Sequence, residues 1–270
     1  MEIQPALKGP RPKNVVQSLE RAAFILDVLA LSPQGLSLRE LSEKVNLSKG
    51  TTHRILTSLS YLDFIRQNSL NKHYQLGFKL VELGNHLLDQ IDFRTESRPY
   101  LVELADRTKE TAHMVILDQN EVLYIDKVDT GGYPTGLRMF SMLGARVPAH
   151  CCAVGKVLLA ALPEEKLIDI LETRGLVRRT ENTITDRKQF IEHLRRVRED
   201  GYALDNEENE IGIRCVAAPV YDQCGETIAA ISLSVPAIRI KARELETVLK
   251  DRVMDTAVKI SQKLGYQQWR

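Results

Sequence analysis

The sequence predicts an α+β chain of two domains, and three observations predict it. Its 270 residues exceed one typical domain. The first 75 residues carry three helical patterns and a short hairpin signal, whereas the remainder carries hairpin-linked strand patterns with helices between them, as in a mainly antiparallel sheet. Charge divides at the same place: residues 1–75 sum to +4 and the rest to −3 within a whole-chain +1. Any polyanion contact therefore belongs to the N-terminal part.

Residues 1–14 hold Pro5, Pro10 and Pro12 with Lys8, Arg11 and Lys13 and little apolar content, the composition of a flexible basic arm. They lack the apolar stretch of a secretion signal, and no run of about 18 apolar residues follows, so a soluble, cytoplasmic chain without a membrane partner is expected. From Val15 to Leu31, Leu19, Ala23, Leu26, Leu29 and Ala30 recur at helical spacing, with Pro33 and Gly35 as stop signals. Ser37, three residues before Glu40, forms a capping-box pattern that opens a second helix with Leu38, Leu41 and Val45 inward. Asn46 suits a tight turn, and Ser48 caps a third helix to about Leu62 with Thr52, Ile55, Leu56 and Leu59 inward. Phe64 to Gln67 and Lys72 to Gln75 flank a polar turn, a hairpin that reads as a wing. Residues 15–76 thus read as a winged helix-turn-helix. Residues 77–92 read as a linker helix, with Leu80, Leu83, Gly84 and Leu87 on one face.

The second domain, residues 93–270, opens with a helix around Pro99 to Thr108. Strand patterns follow at His113 to Leu117, Val122 to Lys127 and Gly136 to Met142. Helices are expected from Val154 to Leu162, Glu164 to Glu172 and Lys188 to Glu199. Strands resume at Tyr202 to Asn206, Ile213 to Tyr221 and Thr227 to Val235, the last two joined by the turn Asp222-Gln223-Cys224-Gly225, and a helix from Glu244 to Leu264 closes the chain.

Two short helices around a tight turn can place the second in a DNA major groove roughly 12 Å wide. With the apolar positions of the helices locked together, Ser48, Lys49, Thr51, His53, Arg54 and Thr57 face outward. Ser48, Lys49 and Thr51 lie at the helix N-terminus, where free N–H groups favour phosphate, and Arg54 reaches phosphate or a guanine edge. Arg66 and Lys72 on the wing add phosphate contacts. One such helix reads too few base pairs for genomic specificity, so a homo-oligomer on a palindromic site of double-stranded DNA is expected.

No glycine-rich phosphate loop, nucleophile elbow or metal-spaced histidine cluster is present, so neither cofactor nor metal is expected. Cys151, Cys152, Cys215 and Cys224 show no paired spacing and read as reduced thiols. The best enzyme reading pairs His150 with Cys151 or Cys152 as nucleophile and Asp205 as orienter. Adjacent residues at a helix start point apart, which argues against it. A third class, a ligand-binding or RNA-binding module without operator specificity, is separated from a regulator by a footprint on a short palindrome.

The strings LRELSEKVNLSKGTTHRILTSLSYLDFIRQ, YQLGFKLVELG, RVPAHCCAVGKVLLA, GYALDNEENEIGIRCVAAPV and IAAISLSVPAIRI, in this order, resemble the IclR family of transcription regulators along nearly the whole chain. Gly50 and Thr52 stand where that family often has Ser and Val or Ala. The resemblance implies a GAF-like sensor domain over residues 93–270, a dimer or tetramer, and a small organic acid as effector. It assigns Asp205, Cys215, Ser232 and Ser234 as polar anchors of the acid and Met139, Val147, Ala153 and Val154 as the apolar wall. Ser232 and Ser234 alternate onto one strand face, so two hydroxyls can converge on one ligand. Asp205, costly if buried unpaired, is expected to accept from a ligand hydroxyl or from Arg214. TKETAHMVILD, LRMFSMLG and DNEENEIGIRC resemble the branch of pectin-catabolism repressors that respond to 2-keto-3-deoxygluconate, with aromatic acids as the competing effector class.

Overall fold

A computed structural model describes residues 13–89, 92–129 and 141–267. The chain forms two compact units, Met1–Gln90 and Ile91–Arg270. In the first, α1 (Gln17–Ala30), α2 (Leu38–Lys44) and α3 (Lys49–Tyr61) are followed by β1 (Ile65–Gln67), β2 (Tyr74–Leu76) and α4 (Lys79–Asp89). The capping box of α2 is formed, with Ser37 accepting from the Glu40 amide and Glu40 accepting from the Ser37 amide at 2.8 Å. Asn46 takes the left-handed turn at φ 50°, a conformation its short polar side chain tolerates. Ile25, Val28 and Leu29 of α1 meet Leu41, Val45, Leu56, Leu59, Ile65 and Tyr74 in one apolar core. Leu19 is 68% exposed, and Ala23 and Ala30 are exposed as well, because the buried face of α1 runs through Ile25, Val28 and Leu29 instead. The wing strands are antiparallel, and Gly77 closes them: a Cβ there would lie 2.2 Å from the Asp63 carbonyl oxygen.

In the second unit α5 (Asp92–Thr108) leads into β3 (Thr111–Asp118), β4 (Glu121–Val128) and β5 (Arg146–Pro148). After a single 3-10 turn, Ala149–Cys151, come α6 (Ala153–Ala160), α7 (Glu164–Arg174) and α8 (Arg187–Asp200). The strands β6 (Ala203–Asn206), β7 (Ile213–Tyr221) and β8 (Thr227–Pro236) complete a six-stranded antiparallel sheet of order β5-β4-β3-β8-β7-β6. The closing helix is α9 (Ala242–Glu244), a π turn (Leu245–Leu249) and α10 (Lys250–Lys263).

Strand alternation builds a core on each sheet face. Val115, Val122, Ala217 and Ala230 pack with Val154 and Val157 of α6 and Phe190 of α8. Met114, Val216, Ile231 and Leu233 pack with Leu101 and Leu104 of α5 and Val253 and Ile260 of α10. All eight residues of α6 are buried, and Gly155 is what lets it approach the 3-10 turn, since a Cβ there would stand 2.1 Å from the Ala149 carbonyl oxygen.

Two expectations for the elements of the second unit need correction, and one strand was not expected. The helix expected at Pro99 begins at Asp92, and Pro99 lies inside it. Its first turns are held by tertiary contacts: Arg94 donates to the Ile125 carbonyl at 2.7 Å, and Arg98 pairs with Asp126. The strand expected over Gly136 to Met142 falls mostly outside the described residues, and Ser141 and Met142 are not in a strand. The edge strand β5 went unforeseen, since three residues with no alternation give no sequence signal.

Candidate functional site

On α3 the inward side chains Thr52, Leu56 and Leu59 are buried and leave an outer face of Ser48, Lys49, His53, Arg54 and Thr57, all exposed, with Thr51 half-buried. Ser48 is the N-cap: its Oγ accepts from the Thr51 amide at 3.2 Å and its hydroxyl donates to Thr51 Oγ1 at 3.0 Å. The Thr57 hydroxyl donates to the His53 carbonyl at 2.9 Å. Ser48 and Thr57 therefore have their protons engaged and meet a partner as acceptors. The side chains of Lys49, His53 and Arg54 have no hydrogen bond or ion pair among the described residues, so they stand as available donors. Arg66 on β1 stacks its guanidinium 5.0 Å above the Phe78 ring, and Lys72, exposed in the wing turn, holds a left-handed backbone at φ 59°.

In the second unit a cavity of about 70 Å³ lies at the end of the α6 core, between that helix and the sheet. One water takes roughly 10–15 Å³ of such space, so a small organic molecule fits in place of several. Val147, Ala153, Val154, Asp205, Cys215, Ser232 and Ser234 all line it; Met139 lies outside the described residues. Strand register brings the polar ones together. Asp205 pairs with Cys215 across β6 and β7, Cys215 pairs with Ser234 across β7 and β8, and paired residues share a face. Cys215 Sγ lies 3.1 Å from Ser234 Oγ.

The Ser232 partner on β3 is His113, which the sequence reading missed. Its ring lies 3.4 Å from Ser234 Oγ and 2.8 Å from Ser141 Oγ, and edge-on to the Tyr124 ring at 5.2 Å. Burial holds its pKa down at about 3, with Lys127 adding to the effect, so the ring is neutral near pH 7 and offers one donor and one acceptor. Tyr124, Ser141, Cys152, Asn209, Glu210 and Ile213 also line the cavity. The alternation of Val122 and Tyr124 on β4 could have signalled Tyr124. Nothing local marks Ser141.

Asp205 is 3% exposed and accepts from the Glu208 amide at 2.7 Å. Arg214 is not its partner. On β7 it alternates away from Cys215 and donates to Asn206 Oδ1 at 2.8 Å, Glu207 at 2.9 Å and the Ile240 carbonyl at 2.7 Å. Desolvation pushes the Asp205 carboxyl up to about 7, against the lowering by its backbone donor and by Lys156. Lys156 itself, fully buried in α6, is paired with Glu208 at 2.6 Å.

The thiol reading fares poorly on geometry. His150 is bonded through Nε2 to the Val177 carbonyl at 2.8 Å, and Cys151 Sγ lies 3.4 Å from Asn209 Oδ1. Burial pushes the Cys151 thiol up to about 12, whereas a nucleophilic cysteine needs its thiolate.

Comparison with known proteins places both units in one family. Residues 18–69 match the IclR helix-turn-helix domain and residues 85–262 the C-terminal domain of the bacterial transcriptional regulator IclR. The chain is 39% identical over 252 residues to the HTH-type transcriptional regulator XynR of Escherichia coli (strain K12), covering 93% of this chain and 98% of that one. With the regulator KdgR of the same organism the identity is 37% over 255 residues, 94% and 95% of the two chains. The crystal structure of the Thermotoga maritima IclR superposes with a TM-score of 0.80 at 36% identity, covering 93% of this chain and 99% of that one. With a helix-turn-helix in the first unit, a cavity lined by polar and apolar side chains in the second, and matches that run nearly end to end, the chain belongs to the IclR family of DNA-binding transcription regulators.

Proposed function

We propose that the chain is a cytoplasmic repressor whose operator affinity is set by a small hydroxylated carboxylic acid, a sugar acid such as 2-keto-3-deoxygluconate, bound in the cavity of the second unit. The convergence of Asp205, Cys215, Ser232 and Ser234, from three strands, on one cavity carries the reading. A site of a few convergent polar groups beside an apolar wall fits a small ligand held in one orientation. The further polar side chains of Ser141, Asn209 and Glu210 add hydrogen-bonding groups to the cavity wall, which suits a ligand with several hydroxyls. Ser48, Lys49, Thr51, His53, Arg54 and Thr57 enter the major groove of a palindromic operator, and Arg66 and Lys72 flank it on the backbone.

The protein works as a homo-oligomer. Phe78 and, on α4, Val81, Leu83 and Leu87 are exposed apolar side chains, and such groupings mark interaction surfaces. Calorimetry against a panel of 2-keto acids, sugar acids and 4-hydroxybenzoate, paired with operator gel shifts, tests the reading. The double change Ser232→Ala with Ser234→Ala is expected to abolish the effector response and spare ligand-free operator binding. A double variant that responds like the wild type would overturn the placement of the effector, and loss of ligand-free operator binding to the same degree would make these serines structural.

A further inference from the structure

We propose that the effector is taken up together with a proton from solvent, which Asp205 carries and donates to the ligand as a hydrogen bond. The inference rests on reading the cavity as the effector site. Among the described residues the cavity wall holds two acids, Asp205 and Glu210, and no lysine or arginine. The cation buried nearby, Lys156, is engaged by Glu208 at 2.6 Å. An arriving carboxylate therefore meets a carboxyl group without a countercharge beside it. Two carboxylates in contact do not both ionise, and the pair keeps one proton.

The histidines, the phenol and the thiols around Asp205 stay fixed near neutrality. From β3, His113 is held neutral by burial, with a pKa of about 3. From β4, the Tyr124 hydroxyl is pushed above its usual range, as are the Cys152 and Cys215 thiols from the head of α6 and from β7. Cys151 sits at about 12, and His150, in the same 3-10 turn, is lowered by burial. Glu208 and Glu210 belong to the loop that follows β6, and Glu210 is exposed. Asp205 is thus the group that titrates in the neutral range, at about 7 in the ligand-free protein.

The sign follows from linkage. The ligand's negative charge raises the Asp205 pKa further, so the bound state holds more protons than the free state. Affinity is then flat below the free-state value and falls about tenfold per pH unit as the pH rises above it, until the bound-state pKa is reached. A sugar or keto acid, ionised near pH 4 and above, does not itself titrate in this window.

The experiment is calorimetry of the full-length protein with pyruvate, 2-keto-3-deoxygluconate, D-gluconate and 4-hydroxybenzoate. Titrations run from about pH 6 to about pH 8.5, each in two buffers of different ionisation enthalpy. The expected result is uptake of a substantial fraction of a proton near pH 8 and a roughly tenfold or greater loss of affinity over the range. Asp205→Asn presents a neutral donor at every pH and keeps an oxygen for the Glu208 amide. It is expected to lose both effects and to bind more tightly than the wild type near pH 8.5. Binding with no proton uptake overturns the proposal and leaves the effector site standing. So does an Asp205→Asn variant that keeps its thermal melt but binds none of the four acids, since the charge itself would then be required. Failure of all four acids to bind near pH 6, where affinity is greatest, overturns the proposal and the cavity reading together.

Discussion

Lys156 is a charged side chain with no exposure in an otherwise apolar helix, and one carboxylate oxygen of its partner Glu208 has no hydrogen bond among the described residues. A buried pair of this kind contributes little net stability, but removing one member strands the other charge, at a cost of roughly 3–5 kcal/mol. Lys156→Met is therefore expected to lower unfolding stability by about 3 kcal/mol or more, and adding Glu208→Gln to recover part of it. Urea melts check this, and a single variant within about 1 kcal/mol of the wild type would mean that water reaches the site. Glu208 also fixes Asp205 through its amide, which ties this pair to the cavity. On α3 Arg54 is an exposed donor without a partner among the described residues. Arg54→Ala is expected to cost roughly 1–3 kcal/mol on the operator and to relax specificity at one position. Lys49→Ala should weaken all sequences and lower the salt slope by roughly one. Gel shifts of folded Arg54→Ala and Lys49→Ala that match the wild type would remove α3 from the interface.

At the level of elements, the sequence reading reached what is decided locally. The capping box at Ser37 and Glu40, the Asn46 turn and the Ser48 cap need only neighbours within four residues. Much of the cavity was reached through the family resemblance, whereas His113 and Ser141 depend on which strands pair and went unseen. The same holds for the irregularity in β4. Val115 pairs with Tyr124 and Met114 with Asp126, which leaves Ile125 as an extra residue, a β-bulge. The bulge resets alternation, so Tyr124 faces the cavity while Asp126 is turned to the α5 face, where Arg94 at 3.7 Å and Arg98 meet it. This clamp holds the turns of α5 that precede Pro99, a residue that read as a helix start because it lacks the donor a helix interior needs. Asp126→Ala is expected to destabilise by about 2–3 kcal/mol, less than an enclosed pair because Arg98 is half-exposed and can turn to water. Hydrogen exchange should show the loss first in the amides of residues 92–99. Uniform loss across the sheet instead would assign Asp126 to the core and not to the clamp.

For the whole molecule, the proposed function requires that two compact units, Met1–Gln90 and Ile91–Arg270, share one free-energy balance. An effector changes operator affinity only by as much as it prefers one arrangement of the chain over another, and linkage makes the effect mutual. If saturating acid weakens operator binding by a given factor, saturating operator must weaken acid binding by the same factor, for a coupling of roughly 1–3 kcal/mol. Palindromic recognition adds that at least two chains act together, since two half-sites about one helical turn apart require two α3 helices. Light scattering is therefore expected to give an even multiple of the 30.6 kDa chain mass, with or without operator. Calorimetric titration of acid into the free protein and into its operator complex closes the thermodynamic cycle. A monomer in both states, or an acid that dislodges the protein from DNA yet binds equally well with and without operator, would break that cycle and place the response outside the cavity.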